Sequence, residues 1–395
     1  MNKIKSAIMI GAAVLFTACV GGEKVSETET IKIGGLAPLT GSLAIYGVTT
    51  TNGANLAIDE INKNGGILGK KVEYITLDTK GDSTEAVMAY NKLIDRGVSA
   101  IIGEITSKPS LAVAEIAAQD NMPMITPTGT QVDITEAGPS IFRVCFTNPY
   151  QGKVLAVLAK ERLNADTAAI MINNSSDYSD GIAKAFIEQA DILGIKITAK
   201  EGYADGDKDF RAQLTKIAAE QPDVLLVPEY YEQASLIATQ AREVGVKAVF
   251  IGSDGWDGIT KTLDSSSYNA IENSYFTNHF SMQDTAPKIQ NFLKSYKDTY
   301  NEDPSAFSAL GYDAVYMVKK AVENAGSTNK EAVVDALKNI EYDGITGYLT
   351  FDEHNNPVKA VTILKIRNGE YIFDSKININ RQTQFYWWLL ISTRQ

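Results

Sequence analysis

The amino-acid sequence predicts an α/β protein with two lobes, each built on a doubly wound parallel sheet. Three observations predict this fold class. The chain has 395 residues, which suits two globular domains of roughly 100–200 residues each. From Ile31 onward, short β-branched runs alternate with longer helical patterns, as is typical of parallel sheets covered by helices on both faces. The alternation restarts at Ala168, so we expect a second lobe of similar design.

The elements of the first lobe follow from hydrophobic spacing. Strands are predicted at Ile31–Leu36, Val72–Leu77, Ala100–Gly103 and Met124–Thr126. Helices are predicted between them at Thr50–Asn62, Ser83–Asp95 and Pro109–Gln119. In the second of these helices, apolar residues recur at three- and four-residue spacing, so they would share one face: Ala86, Ala89, Tyr90, Leu93 and Ile94.

The second lobe repeats this pattern and is followed by further elements. Its strands are predicted at Ala168–Ile172, Ile195–Ala199, Val224–Val227 and Ala248–Ile251. Its helices are predicted at Gly181–Ile192, Phe210–Glu220 and Glu232–Val244. A helical region at Ala286–Thr299 and Ala309–Ala325 then precedes a strand-rich end at Tyr348–Phe373.

The first nineteen residues are predicted to be an export signal. Lys3 and Lys5 form a positive start, and the apolar stretch at residues 7–16 is too short to span a membrane. Cys19 after Thr-Ala resembles a bacterial lipoprotein box, in which cleavage leaves the cysteine as the lipid-bearing N-terminus. The alternative is an ordinary secretory signal with an incidental cysteine. Residues 20–30 are small, polar and charged, as expected of a flexible tether.

Composition and charge argue against several classes of protein. The formal net charge of −11 disfavours nucleic acid and anionic lipid as main partners, because both attract clusters of Lys and Arg. With two histidines and two cysteines in the whole chain, we expect neither a zinc site nor a Ser–His–Asp enzyme. If Cys19 carries lipid, Cys145 is the only thiol left, and no intramolecular disulfide can form.

Enzyme and cofactor motifs are not found. Residues 64–71 (NGGILGKK) lack the first glycine and the final Ser or Thr of a phosphate-binding loop. No dinucleotide-binding glycine motif follows a strand, and no nucleophile elbow occurs. Residues 252–258 are acidic but lack the spacing of a calcium loop. We therefore expect no catalysis, no cofactor and no metal.

The segment at residues 377–395 is atypical of the rest of the chain. It contains the apolar run FYWWLLI, which is too short to span a membrane. Three alternatives account for it: a packed C-terminal strand, a membrane-surface anchor, or a sequencing or frameshift artefact. We favour the artefact and assign the tail no function.

A candidate binding site emerges from the residues that follow the strands, because ligands of doubly wound sheets bind outside the carboxyl ends of the strands. The first lobe offers the hydroxyls of Ser107 and Thr130 beside the start of a helix, which suits a carboxylate. The second lobe offers Asp254, which can face an ammonium, with Tyr178 and Tyr230 as apolar walls. A carboxylate site near an ammonium site indicates an α-amino acid.

Each of these residues also has a structural interpretation. Ser107 could cap its helix, and Thr130 could be a turn residue. Tyr178 and Tyr230 could be packed aromatics, and Asp254 could stabilise a turn. Their joint position at strand ends favours a site.

The chain resembles the branched-chain amino acid-binding proteins, the solute-binding components of ABC importers, which have the type I periplasmic binding protein fold. The resemblance runs from about Ile31 to Asp374 and rests on the motifs GGLAPLTGSLAIYG, AIDEINKNGGILGKKVE, AIIGEITS, MITPTGT, DVLLVPEYYEQA and FIGSDG. It implies two lobes joined by a three-strand hinge, with crossings near 147–149, 275–277 and 357–359. The expected segments are the signal at 1–19, the tether at 20–30, lobe 1 at 31–147 plus 278–357, lobe 2 at 148–277 plus 358–376, and the tail at 377–395.

The resemblance also implies roles for individual residues. Ser107 and Thr130 would hold the ligand carboxylate, and the carbonyl of Thr128, with Thr130, would help receive the ammonium. Asp254 stands where the family commonly has Glu and would be the charged ammonium partner. The residues expected to enclose the ligand side chain are Tyr46, Tyr178 and Tyr230.

Three neighbours in sequence could alter the side-chain preference of the site. They are Glu104, Glu229 and Trp256. Leucine, isoleucine or valine is the leading ligand expected, with alanine, threonine or an aromatic amino acid behind them.

The implied function is capture of the amino acid by hinge closure and delivery to an ABC permease. The protein would be extracytoplasmic, anchored to a bacterial membrane by its lipid, and monomeric. The main rival is a sensory receptor subunit of the same fold, and an amide hydrolase is a distant third. Neighbouring permease and ATPase genes would favour transport, whereas a neighbouring sensor kinase would favour signalling.

Overall fold

A computed structural model describes residues 30–379 of the chain. The predicted export signal, the lipidation site at Cys19, nearly all of the tether and the tail beyond residue 379 lie outside the described residues. Within the described range, no helix combines the length and apolar character needed to cross a bilayer.

The described chain contains fourteen strands and eleven α-helices. The strands are β1 (Ile31–Ala37), β2 (Val72–Asp78), β3 (Ala100–Ile102), β4 (Met124–Thr126), β5 (Ile141–Arg143), β6 (Thr167–Asn173), β7 (Lys196–Tyr203), β8 (Val224–Val227), β9 (Val249–Gly252), β10 (Tyr275–Asn278), β11 (Tyr342–Gly344), β12 (Gly347–Leu349), β13 (Val361–Arg367) and β14 (Glu370–Ile377). The helices are α1 (Ala44–Lys63), α2 (Ser83–Asp95), α3 (Ser107–Gln119), α4 (Asp133–Glu136), α5 (Asn148–Val157), α6 (Asp177–Ile192), α7 (Arg211–Glu220), α8 (Tyr231–Glu243), α9 (Pro287–Tyr300), α10 (Ala306–Ala325) and α11 (Lys330–Lys338).

Two sheets form the two lobes, which confirms the predicted fold class. The first is parallel, with strand order β2-β1-β3-β4-β5. The second has the order β14-β13-β10-β9-β8-β6-β7. Helices cover both faces of each sheet, and their apolar sides form the cores of the lobes.

The second sheet is mixed rather than purely parallel. Strand β13 pairs antiparallel with both β10 and β14. The turn between β13 and β14 is Asn368-Gly369, and both residues have positive φ, 51° and 76°. Asn-Gly is the strongest short hairpin signal, and a two-residue connection permits only antiparallel pairing.

The chain passes between the lobes three times. It leaves β5 of the first sheet for α5, whose first turn is capped by the side chain of Thr147. It leaves the second sheet after β10 and enters α9, and it returns between β12 and β13. The predicted crossing at 275–277 therefore falls within β10, and the passage itself follows Asn278.

Helices α1 and α10 pack closely, which joins two parts of the first lobe that are far apart in sequence. A Cβ on Gly53 would lie 1.9 Å from the carbonyl oxygen of Ser308. A Cβ on Gly311 would lie 2.3 Å from the carbonyl oxygen of Thr50. Only glycine permits this approach of one backbone to the other.

Candidate ligand-binding site

The candidate site lies where the strand order of each sheet reverses. These switch points lie between β1 and β3 in the first sheet and between β6 and β8 in the second. The loops that follow these strands face each other across the cleft between the lobes, which is where ligands of such sheets bind.

All seven ligand-binding residues expected from the sequence line one cavity. They are Tyr46, Ser107, Thr128, Thr130, Tyr178, Tyr230 and Asp254. The cavity is completed by Ile105, Thr106, Gly255 and Phe307. The structure thus brings together groups from both lobes that are up to about two hundred residues apart, as the span from Tyr46 to Asp254 illustrates.

The first lobe contributes the start of α3. Thr106 occupies the N-cap position with extended backbone, yet its side chain makes no capping hydrogen bond. Pro109 has no N–H and the N–H of Ser110 donates to the carbonyl oxygen of Thr106, so the donors at this helix start are the N–H groups of Ser107, which contacts the Tyr230 hydroxyl, and of Lys108. The positive end of the helix dipole lies behind them. The interpretation of Ser107 as a helix cap is wrong, because Ser107 is the first helical residue.

Two hydroxyls stand beside this helix start. The oxygens of Ser107 and Thr130 are 3.5 Å apart. The hydroxyl of Thr128 donates to the carbonyl oxygen of Ile105 at 2.5 Å, which joins the loops after β3 and β4. The side chain of Thr128 is thus committed to the scaffold, and its backbone is what it can offer a ligand.

Glu104 holds the loop after β3 from within the first lobe. Its carboxylate accepts hydrogen bonds from the hydroxyl of Thr79 and from the N–H groups of Ile105 and Thr106, at 2.5–2.8 Å. Burial raises the pKa of this carboxyl to about 7, against the opposing effect of those hydrogen bonds. Glu104 does not line the cavity, so it acts on the site through the loop.

The second lobe contributes Asp254, which begins a short 3₁₀ turn after β9 and is only 4% exposed. Its Oδ1 accepts hydrogen bonds from the hydroxyl of Tyr178 at 2.6 Å and from Nε2 of Gln151 at 3.2 Å. The N–H of Asp254 donates back to Oε1 of Gln151 at 3.2 Å. Asp254 is therefore held on both its backbone and its side chain, which fixes the direction of the carboxylate.

His279 lies behind this carboxylate, on the chain segment that leaves β10. Its Nε2 is 3.5 Å from Oδ2 of Asp254, and its ring stacks on Phe146 with centroids 4.1 Å apart. Burial lowers the pKa of His279 to about 4, so the ring is neutral at pH 7. Neither ring nitrogen has a hydrogen-bond partner within the described part of the chain.

Aromatic rings form the remaining walls. Tyr178 stacks on Tyr230 with centroids 4.8 Å apart, and Tyr46 stacks on Phe307 at 4.2 Å. Burial raises the pKa of Tyr46 and Tyr178 well above the ordinary value, so both hydroxyls stay protonated and can donate. These rings give the cavity an apolar middle between its two polar ends.

The lobes are in contact around the cavity, so this is a closed conformation. The hydroxyl of Tyr46, from the first lobe, donates to the carbonyl oxygen of Gly255 in the second. The hydroxyl of Tyr231, at the start of α8, donates to the carbonyl oxygen of Ser42. Tyr46 is only 1% exposed as a result.

Sequence reasoning missed Gln151, His279 and Phe307. Gln151 and His279 act through tertiary contacts that no local pattern contains. Phe307 could have been found, because Ser305 and Ser308 form a capping box that starts α10 at Ala306, whereas spacing alone placed the start at Ala309.

Glu229 and Trp256 do not line the cavity, and Glu229 reaches it only through the N–H of Tyr230, which donates to its carboxylate at 2.8 Å. Glu229 accepts hydrogen bonds from Tyr203 and Asn173. The indole N–H of Trp256 donates to the carbonyl oxygen of Val227 at 2.9 Å. Both residues brace the second lobe.

The arrangement suits a small zwitterion. One end of the cavity presents hydroxyls and helix N–H groups, the other presents a carboxylate, and apolar rings lie between them. Within residues 30–379, no group of three or more His, Cys, Asp and Glu side chains could hold a metal ion.

Comparison with known proteins bears on the family and the fold. The family described as "Periplasmic binding protein" matches residues 30–370. The Leu/Ile/Val-binding protein BraC3 of Rhizobium johnstonii is 33% identical over 82% of this chain and 88% of its own length. The leucine-, isoleucine-, valine-, threonine- and alanine-binding protein of Pseudomonas aeruginosa is 32% identical over 82% of this chain and 86% of its own.

A solved structure with similar sequence extends the comparison to the fold. The branched-chain amino acid transporter substrate binding protein LivJ of Streptococcus pneumoniae, in complex with isoleucine, is 35% identical. It aligns with a TM-score of 0.81 over 88% of this chain and 100% of that one.

Proposed function

Because the chain belongs to the periplasmic binding protein family, we propose that it captures a branched-chain aliphatic L-amino acid outside the cytoplasm and delivers it to an ABC permease. The observation that carries this proposal is the cavity between the lobes, with anion-binding donors at one end and a buried carboxylate at the other. The description of the similar Streptococcus pneumoniae protein as a transporter substrate binding protein favours transport over the sensory alternative.

The ligand carboxylate binds at the start of α3. Its oxygens accept hydrogen bonds from the hydroxyls of Ser107 and Thr130 and from N–H groups of the first helical turn. A helix N-terminus combines free donors with positive partial charge, so no basic side chain is required.

The ligand ammonium binds at Asp254, helped by the carbonyl oxygen of Thr128. Tyr178 and Gln151 donate to Oδ1 of Asp254, and Nε2 of His279 lies 3.5 Å from Oδ2, so the ammonium meets a carboxylate whose direction is already fixed. Asp is one methylene shorter than the Glu common in the family, and closure of the lobes brings it within reach. Desolvated charges need complete pairing, so this contact is decisive for affinity.

The ligand side chain packs against Tyr46, Tyr178, Tyr230 and Phe307. Burial of a leucine-sized side chain contributes roughly 1.5–3 kcal/mol. The names of the relatives, which are Leu/Ile/Val-binding proteins, favour leucine, isoleucine or valine as the ligand.

Binding proceeds by hinge closure without covalent chemistry. An amino acid that touches both lobes binds the closed state better than the open one, so it shifts the equilibrium towards closure. We further propose that Cys19 anchors the mature chain to a bacterial membrane through lipid, and that a single copy of the chain docks on the permease.

Calorimetric titration against the twenty L-amino acids tests the proposal. The chain without residues 1–19 is unfolded and refolded beforehand to remove any ligand carried through purification. We expect tight binding of a few aliphatic amino acids by the wild type and none by Asp254→Ala. Binding of no amino acid by a correctly refolded wild type would refute the proposal.

A further inference from the structure

A second and larger cavity lies between the lobes, beside the candidate amino-acid site. It measures about 1260 Å³ including its mouth, which opens to solvent. Tyr46 and Phe307 line both cavities, so their stacked rings form the wall between them. The second cavity is therefore a separate space with its own entrance.

The walls of this cavity are mostly apolar and come from both lobes. Its apolar lining includes Ile45, Phe280, Phe307, Leu364 and Tyr371. Ile45 and Phe307 belong to α1 and α10 of the first lobe, whereas Leu364 and Tyr371 belong to strands of the second sheet. An occupant would thus contact both lobes at once.

Asp257 provides a buried anion in the lining. It is 5% exposed, and its Oδ2 accepts hydrogen bonds from the N–H of Ala306 at 2.7 Å and from Nδ2 of Asn278 at 3.3 Å. Within the described residues, Oδ1 receives no hydrogen bond. A carboxylate has about four lone-pair sites, so Asp257 retains capacity for a further donor.

No salt bridge joins Asp257 to a cation in the described range, although the charge of Lys261 acts on it from a distance and lowers its pKa. The nearest lysine of the lining, Lys261, pairs instead with Glu302 at 3.7 Å and is about half exposed. Burial raises the pKa of Asp257 above its ordinary value, which is the direction expected of a carboxylate without a paired cation. A buried carboxylate beside apolar walls is complementary to an ammonium group on an apolar body.

We propose that this cavity is a second binding site, specific for small apolar primary amines whose ammonium pairs with Oδ1 of Asp257. The apolar body of the amine packs on the rings of Phe280 and Tyr371. This site needs no ligand carboxylate and makes no use of Asp254, so it is independent of the function proposed above.

Occupancy of the second site favours the closed conformation. The amine contacts residues of both lobes, and a ligand that binds the closed state better shifts the population towards it. Since both sites share the Tyr46–Phe307 wall and both favour closure, each ligand strengthens binding of the other.

Titration with 2-phenylethylamine tests the site. The Asp254→Ala chain is used as the background, so that the ammonium partner in the amino-acid cavity is absent. We expect one molecule of amine to bind, and 3-phenylpropanoate, an anion of similar size and shape, not to bind. Introducing Asp257→Asn, which keeps an acceptor for the N–H of Ala306, should weaken amine binding at least tenfold.

Two further variants serve as controls for the assignment of Asp257. Asp303→Asn removes an exposed carboxylate from the same cavity and should leave amine affinity within twofold. Lys261→Gln removes the competing cation from the lining and should strengthen amine binding, a readout that does not depend on the folding of the Asp257 variant.

Three results would overturn the proposal. One is absence of amine binding, and another is equal binding by 3-phenylpropanoate. The third is competition between 2-phenylethylamine and an amino acid in the wild type, because competition would place the amine in the first cavity.

Discussion

Asp254 shows how the site keeps a charge both buried and directed. Tyr178 and Gln151 occupy one carboxylate oxygen, and the neutral ring of His279 lies 3.5 Å from the other. Hydrogen bonds to a charged group are worth roughly 1.5–3 kcal/mol each. We therefore expect affinity for the proposed amino acid to depend on the residues that position Asp254 as well as on Asp254 itself.

Tyr178→Phe should weaken amino-acid binding by about 10- to 100-fold, since it removes one of these charged hydrogen bonds. Tyr203→Phe is the matched control. Tyr203 is also a buried tyrosine that donates to a carboxylate, that of Glu229, but it does not line the cavity. We expect Tyr203→Phe to lower the free energy of unfolding and leave affinity unchanged in calorimetry. Equal loss of affinity in both variants would contradict this assignment.

Glu104 makes stability fall as pH rises. Its pKa is raised to about 7 in the folded protein, so between pH 4.5 and 7 the folded state holds a proton that the unfolded state releases. The contribution is fully present below pH 4.5 and amounts to at most about 3 kcal/mol. Thermal unfolding measured between pH 4.5 and 7 gives the fall of stability with rising pH. Glu104→Gln should remove the contribution of Glu104 to this fall. If stability falls with pH as steeply in Glu104→Gln as in the wild type, then Glu104 is already ionised in the folded protein across this range.

His279 acts in the opposite direction. Its pKa is lowered to about 4, so the unfolded state takes up a proton first as pH falls below about 6.5. Stability is therefore lost between pH 6.5 and 4, and His279→Gln should reduce this loss in the same unfolding experiment. A steeper loss in the variant would contradict the burial of a neutral ring.

That the seven candidate residues would lie around one cavity could be predicted, because they follow recognisable β-branched strands and their motifs resemble those of a family. Gln151 was not predictable. It reaches Asp254 from α5, 103 positions earlier in the chain, and no spacing rule links the two. His279 was noted only as one of two histidines, since its environment exists only when the lobes are folded.

At the scale of elements, the contact between α1 and α10 depends on glycine. An added methyl at Gly53 would clash with the backbone of Ser308 at 1.9 Å. Gly53→Ala should lower the free energy of unfolding by about 1–3 kcal/mol, as overpacked sites do. Gly181→Ala in α6 is the control, because its nearest contact would be the Cβ of Asn148 at 3.3 Å. Denaturant unfolding of both variants measures the difference. Equal stability of Gly53→Ala and Gly181→Ala would contradict the packing argument.

Element boundaries show where sequence reasoning ends. Spacing placed the starts of α1 and α10 too late, since the first turn of each helix contains residues that face the cleft rather than an apolar core. The short strand β5 has three residues, too few for a periodicity. The antiparallel end of the second sheet depends on the Asn368-Gly369 turn. The sequence pattern predicts this region only as strand-rich and places no hairpin in it.

At the scale of the whole molecule, closure is stabilised by bonds between the lobes outside the cavity. Tyr231 is one such residue, because its hydroxyl reaches Ser42 but its ring does not line the amino-acid cavity. Tyr231→Phe should weaken binding of every accepted amino acid by the same factor, about two- to tenfold. Calorimetry with two or more amino acids measures this factor. A change in the ranking of ligands would place Tyr231 in the specificity pocket instead.

The account depends most on the pairing of the ligand ammonium with Asp254, and a cycle of four titrations tests that pairing directly. L-isoleucine and 3-methylpentanoate, which is isoleucine without its ammonium, are titrated into the wild type and into Asp254→Ala. Loss of one partner of a buried charge pair costs roughly 3–5 kcal/mol. We therefore predict that the wild type prefers isoleucine by more than about 100-fold and that Asp254→Ala nearly abolishes this preference. A preference that survives in the variant, or its absence from the wild type, would contradict the account.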